Sequence, residues 1–106
     1  MKPIIKYPKM NKWEKAHESE LLILLQIREI LGYHFEPFGL KLAPKTYYHP
    51  DFLVVYPDHF EIHEVKGFMR DDANVKIKVA TKLFPWFQFK LFYGYTKRNG
   101  FKIKDY

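Results

Sequence analysis

Helical spacing gives way to strand spacing about a third of the way along this chain. Leu21, Leu24, Leu25, Arg28 and Leu31 recur at the intervals of one helix face. Leu22, Ile23 and Ile30 extend the apolar surface past that stripe, as in a helix covered on two sides. Part of that surface is available for a subunit interface. Asn11 offers an N-cap and Gly32 a C-terminal stop, so the pattern predicts a helix from Asn11 to about Leu31. Ahead of it, Pro3 and Pro8 oppose helix, and residues 1–10 read as an extended arm.

Strand-like runs follow. Phe35 to Leu42 alternates in part. Tyr47 to Tyr56 reads as a strand with Pro50 near its start, where a missing N–H is tolerated. Pro57-Asp58 marks a turn, Phe60 to Lys66 forms the next strand, and Gly67 ends it. Asp72 caps a helix from Ala73 to about Phe84. Ala73, Ile77, Ala80 and Phe84 face the core, with Lys78 and Lys82 opposite, near Val75 and Val79. Phe87 to Tyr95 reads as a buried strand, and Asn99-Gly100 as a two-residue hairpin turn returning through Phe101 to Asp105. The expected order is helix, three strands, helix, two strands, an α/β fold.

Composition narrows the class. A chain of 106 residues is expected to form one domain, 1–106, around one core. With 47% hydrophobic and 19% aromatic residues, disorder is disfavoured. The absence of cysteine excludes disulfides and thiolate metal sites and fits a reducing, cytoplasmic compartment. Met1 to Lys6 lacks the apolar core of a signal peptide. The longest apolar run, Leu21 to Leu25, is too short to span a membrane, so no membrane partner is expected. The net charge of +6 is unevenly placed: five lysines fall in the first fifteen residues, and Ala73 to Lys104 holds eight basic residues and no acidic one. Acidic residues gather between Glu14 and Asp72. A basic periphery around an acidic centre suits a protein that binds a polyanion and holds a cation, although lysines also keep an aromatic-rich protein soluble.

The candidate chemistry sits at that centre. On a strand, Glu64 and Lys66 share a face while Val65 turns to the other. Asp51 opens the run Phe52-Leu53-Val54-Val55. A hairpin pairing that run with Phe60 to Val65 brings two carboxylates and one lysine to the same end of a sheet. Mg²⁺ takes carboxylate oxygens and keeps several waters. A neighbouring lysine orients or activates one of those waters, or offsets phosphate charge. A lone Glu-x-Lys triplet is common as a salt-bridged pair on exposed strands. Pro50-Asp51, the closing Gly67 and the basic helix that follows raise this one to a candidate nuclease site.

The run Tyr48-His49-Pro50-Asp51-Phe52 and His63-Glu64-Val65-Lys66-Gly67 resembles the core of the PD-(D/E)XK nucleases, and the order of elements resembles their α-β-β-β-α-β core from about Asn11 to Phe92. Within that superfamily it resembles small phage-type members and archaeal-type Holliday junction resolving enzymes. The resemblance implies a mixed sheet flanked by helices and a Mg²⁺-dependent DNA endonuclease, with Mn²⁺ able to substitute. It implies a 5′-phosphate product and a homodimer acting on branched DNA. Asp51, Glu64 and the Val65 carbonyl would bind metal, and Lys66 would position or activate the attacking water. It also implies a helical carboxylate: Glu14 at the helix start is favoured and Glu18 is the alternate. The rival readings are a recombination or restriction-type nuclease acting on duplex or ends, and a binding module on a nuclease fold.

Lys76, Lys78, Lys82, Lys90, Lys97 and Arg98 are candidate phosphate contacts, which position DNA without reading sequence. No pair among His17, His34, His49, His59 and His63 has zinc-site spacing; these read as structural, with His49 near the site and His63 facing away from Glu64. Trp86, Phe87, Phe89, Phe92, Tyr93 and Tyr95 read mostly as core. Trp13 and Trp86 are open to either a dimer contact or base stacking. Asp71 and Asp72 read as helix caps before metal ligands.

Overall fold

The structure is a computed structural model that describes residues 9–68 and 71–106, with side chains from 73 onward in the second stretch. Helix α1 spans Lys12–Gln26. It starts as the sequence predicts, through a reciprocal capping box: the Glu14 N–H donates to Asn11 Oδ1 at 2.8 Å and the Asn11 N–H to Glu14 Oε1 at 2.9 Å. It ends earlier than expected. Arg28, not Gly32, takes the left-handed conformation, at φ 63°. Bonds from Glu29 N–H to the Leu24 carbonyl and from Arg28 N–H to that of Leu25 close the last turn, a Schellman closure built without glycine. The chain then doubles back, so Ile30 is buried rather than part of a surplus helical face. Gly32 begins a strand.

The described residues form seven strands in the order of the chain: β1 (Gly32–Phe35), β2 (Leu40–Ala43), β3 (Thr46–Tyr48), β4 (Phe52–Val55), β5 (Phe60–Val65), then after helix α2 (Asp71–Leu83), β6 (Phe87–Thr96) and β7 (Gly100–Asp105). The three strands expected before α2 are therefore five. Phe35 to Leu42 is broken at Glu36, which sits at φ 48° beside Pro37, and Tyr47 to Tyr56 is broken at His49-Pro50-Asp51. Strands β2 and β3 pair as a separate hairpin. The other five form a mixed sheet in the order β1-β4-β5-β6-β7, parallel only between β5 and β6. The turn between β6 and β7 is also longer than predicted: Thr96 pairs with Gly100, and the left-handed Gly100, at φ 68°, ends a three-residue loop. Helix α2 starts at Asp71, two residues before the expected Ala73, so Asp72 lies inside its first turn rather than at the cap. The side chains of Asp71 and Asp72, with their alternative ligand role, and the arm through residue 8 lie outside the described residues.

Two apolar clusters sandwich the sheet. Leu21, Ile30, Phe52, Val54, Val65 and Phe92 form the core on the α1 face. Leu40, Tyr48, Ile62, Ile77, Ala80, Phe89 and Leu91 form the other, where α2 and the β2–β3 hairpin lie. Strand β5 runs between them and is buried from Glu61 to Val65. Its alternation therefore sends Ile62 and Glu64 to the α2 side and Glu61, His63 and Val65 to the α1 side. A strand covered on both faces has few places to put three ionisable groups, and each of them has a distinct solution. No described helix is long and apolar enough to cross a membrane.

Candidate active site

Strands β4 and β5 pair antiparallel with Phe52 opposite His63, so Asp51 arrives beside the Glu64-Val65 end of β5. Its Oδ2 accepts the Val65 N–H at 2.8 Å. That bond fixes the carboxyl where the β4–β5 ladder has ended. Glu64 is 6% exposed. The Tyr48 hydroxyl, reaching over from β3, donates to its Oε1 at 3.1 Å, and the Lys66 ammonium lies 3.3 Å from its Oε2. Lys66 is itself held at the strand end by its N–H, which donates to the Phe92 carbonyl at 2.9 Å. Asp51, Glu64 and Lys66 thus meet at one end of the sheet.

The pair carries more negative charge than its surroundings balance. Burial raises the Asp51 carboxyl, and the like charge of Glu64 raises it further, to about 8 against the Val65 hydrogen bond and the Lys66 charge. Glu64 is raised as well, by burial, in spite of Lys66 and Tyr48. Two carboxyls so close titrate as a unit. The Tyr48 phenol is pushed far up by burial and by Glu64 and stays a donor. A divalent cation is the group that would relieve this imbalance, and hard oxygen donors are what Mg²⁺ prefers. The residues present fit such an ion. Among the described residues, however, no group of three or more His, Asp or Glu side chains is placed to hold one. A cation here would depend on Asp51, Glu64, a backbone carbonyl such as that of Val65, and water.

Glu14 borders the same opening as Val65, Lys66 and Gly67, and its charge adds to the rise at Asp51. Its carboxylate also serves the capping box. Glu18 instead accepts the Tyr33 hydroxyl at 3.0 Å and does not line the opening. Gly67 is required by a close approach: a Cβ there would lie 2.6 Å from the Trp13 ring.

The basic residues separate into three settings. Lys76 lines a second opening, on the α2 side of Lys66, with Tyr47, His49 and Glu64, and donates to the Tyr47 carbonyl at 3.2 Å. Lys78 and Lys82 are exposed along α2, and Lys82, in its last turn, leads toward the opposite end of the sheet, where Phe87 pairs with Phe60. Lys97 and Arg98 are exposed in the β6–β7 turn. Lys90 lies on the α1 side, 3.7 Å from Glu61 and 3.8 Å from Asp105.

Two features escaped the sequence reading. Tyr48 holds Glu64, and its only signal was its place three residues before Asp51 on a strand-like run. The second is a buried polar chain on the other face of β5. His63 Nε2 meets Glu61 Oε1 at 2.8 Å, and His63 Nδ1 meets His17 Nε2 at 2.8 Å. His63 does face away from Glu64, as the alternation predicts. Burial lowers both imidazoles, His17 to about 3. With both rings neutral, the consistent assignment has His17 donating to His63 and His63 donating to Glu61. The buried His17 Nδ1, which has no partner, is then a bare acceptor rather than an orphaned N–H.

No family model, curated protein or solved structure matches this chain. The functional reading therefore rests on the chain's own residues.

Proposed function

We propose that this protein is a metal-dependent DNA endonuclease of the PD-(D/E)XK type, acting on branched DNA. The observation that carries the reading is the half-buried Asp51 beside the buried Glu64, with Lys66 at 3.3 Å from Glu64, a charge arrangement that is costly in a fold with no use for it. Asp51, Glu64 and the Val65 carbonyl would hold Mg²⁺. Such an ion would supply polarisation of a phosphoryl oxygen and neutralisation of the charge that develops in an in-line displacement. Tyr48 keeps Glu64 oriented, and the Asp51–Val65 bond keeps the second carboxylate at the strand end. Lys66, 38% exposed at its side chain, reaches solvent and is the group to orient water or meet the scissile phosphate. Glu14 adds negative charge on the opposite wall.

A four-way junction is the favoured substrate; its symmetric cutting needs two sites, which a C₂ dimer supplies. The apolar residues Leu22, Ile23, Ile27 and Leu31, 44–65% exposed around the end of α1, offer a face for such a dimer.

The test is cleavage of a labelled four-way junction beside a matched linear duplex and a single strand, with and without Mg²⁺. Asp51→Asn and Lys66→Ala should each reduce the rate at least about a hundredfold, a few kcal/mol of transition-state stabilisation. Normal cleavage by both variants would end the assignment. Equal cutting of junction and duplex by a protein that scatters light as a monomer would leave a nuclease but remove the junction preference.

A further inference from the structure

The α1 side of the opening holds a second groove that the acid pair does not use. Lys12, Trp13, Tyr95 and Lys97 line it around a cavity of about 340 Å³, within the range of small-ligand sites, roughly 300–1,000 Å³. Its four residues are two cations and two aromatics, with no carboxylate among them. Trp13 belongs to both walls: it lines the groove and also the opening with Glu14, Val65, Lys66 and Gly67. The indole is held in place from two sides. It lies against the Gly67 backbone, which leaves no room for a Cβ, and the Lys12 ammonium sits 4.8 Å from its ring centroid. Tyr95 is fixed from below by Phe101, with ring centroids 4.8 Å apart. Its strand is tied to the site by the bond from Gly94 N–H to the Gly67 carbonyl, 3.2 Å.

Aromatic faces interleaved with lysines are what unpaired nucleotides need: a surface for the base and a charge for the phosphate. At the acid pair the positive charge of Lys66 is shared with Glu64, whereas this groove offers a phosphate two lysines and no carboxylate. We propose that the Lys12–Trp13–Tyr95–Lys97 groove receives an unpaired stretch of DNA next to the strand being cut, so that among branched DNAs the protein selects those whose branch point exposes unpaired bases, a junction opened at its centre or a duplex with a single-stranded arm. This rests on the nuclease reading above.

Binding without divalent metal separates the two. The probes are a fluorescein-labelled duplex with a single-stranded arm and its blunt counterpart. Wild type should prefer the armed duplex. Tyr95→Ala should lose about fivefold or more of its affinity for the armed duplex, with blunt-duplex affinity within about twofold, and Tyr95→Phe should restore the loss. In Trp86→Phe protein Trp13 is the sole tryptophan, and its emission should be quenched by the armed duplex and not by the blunt one. This second readout stands even if Tyr95→Ala fails to fold. Equal quenching by both duplexes, or none by either while DNA is bound, overturns the groove and leaves the nuclease. A wild-type protein that binds neither DNA overturns the groove, and the nuclease is then decided by Mg²⁺-dependent cleavage alone.

Discussion

Glu61 and Glu64 are two glutamates on one strand, each buried to a similar degree, 4% and 6% exposed, and their chemistry is opposite. Burial pushes both toward the neutral acid. At Glu61, hydrogen bonds from His63 and His59 and the charge of Lys90 overcome it and hold the carboxyl down at about 2. At Glu64, Lys66 and Tyr48 do not overcome it, and the adjacent Asp51 is carried up with it. One face of β5 closes its polar groups into a chain that leaves, among the described residues, just the His17 Nδ1 acceptor unpaired. The other leaves an excess of negative charge at a solvent opening. Burial alone does not mark a functional carboxylate; uncompensated burial does.

The largest stability effect should come from breaking the satisfied face. Glu61→Leu leaves the buried His63 Nε2 without its acceptor and takes one of two carboxylate partners from His59 and from Lys90, and should cost roughly 3 kcal/mol, lowering the thermal midpoint by more than about 10 °C. A midpoint within a few degrees of wild type would mean that the chain is not a structural unit.

The strained face should answer with the opposite sign. Asp51→Asn keeps an oxygen for the Val65 N–H and removes the charge, so it should stabilise the metal-free protein at pH 8 by roughly 1–3 kcal/mol while abolishing cleavage. Added Mg²⁺ should stabilise wild type, by about 2.7 kcal/mol at a hundred times its dissociation constant, and leave Asp51→Asn unmoved. Calorimetry with and without Mg²⁺ checks both. Mg²⁺ stabilisation that survives in Asp51→Asn would place the ion elsewhere.

Titration distinguishes the faces again. His17 is lowered on folding, so between about pH 3 and 6.5 the unfolded chain binds the proton that the folded chain refuses, and stability falls as pH drops through that window. Asp51 is raised, so the folded chain keeps a proton that the unfolded chain has lost, and its contribution is present in acid and lost as pH rises toward about 8. Metal-free wild type should therefore lose stability on both sides of an intermediate pH. His17→Phe should flatten the acid limb by up to about 1.4 kcal/mol per pH unit, and Asp51→Asn the alkaline limb. If His17→Phe leaves the acid limb unchanged, the proton uptake belongs to other groups.

The smallest effect tests reach. Lys76→Ala, beside Glu64, should weaken metal-free DNA binding and reduce its salt dependence by about one counterion, whereas Lys78→Ala with Lys82→Ala should do less because α2 carries them away from the opening. Salt titrations of binding read this directly; a greater loss from the double variant would move the DNA path onto the outer face of α2.

The sequence by itself determined the local facts. The helix start at Asn11, the strand through Phe60 to Val65 and the sharing of one face by Glu64 and Lys66 follow from spacing, because they depend on residues a few positions apart. Asp51 was legible as their partner because one antiparallel pairing of two apolar runs suffices. What only the tertiary structure decided depends on groups distant in the chain. Arg28 ends the first helix because Ile30 gains a buried place by turning back, a competition that no local pattern displays. The breaks at Glu36 and at Pro50 free β2 and β3 to leave the sheet and bring Tyr48 to Glu64. His17 lies 46 residues before His63, and their contact exists only once α1 covers the sheet. Even the difference between Glu61 and Glu64 is invisible in sequence: a carboxylate's chemistry is set by what surrounds it after folding, and each glutamate faces a different layer of the protein.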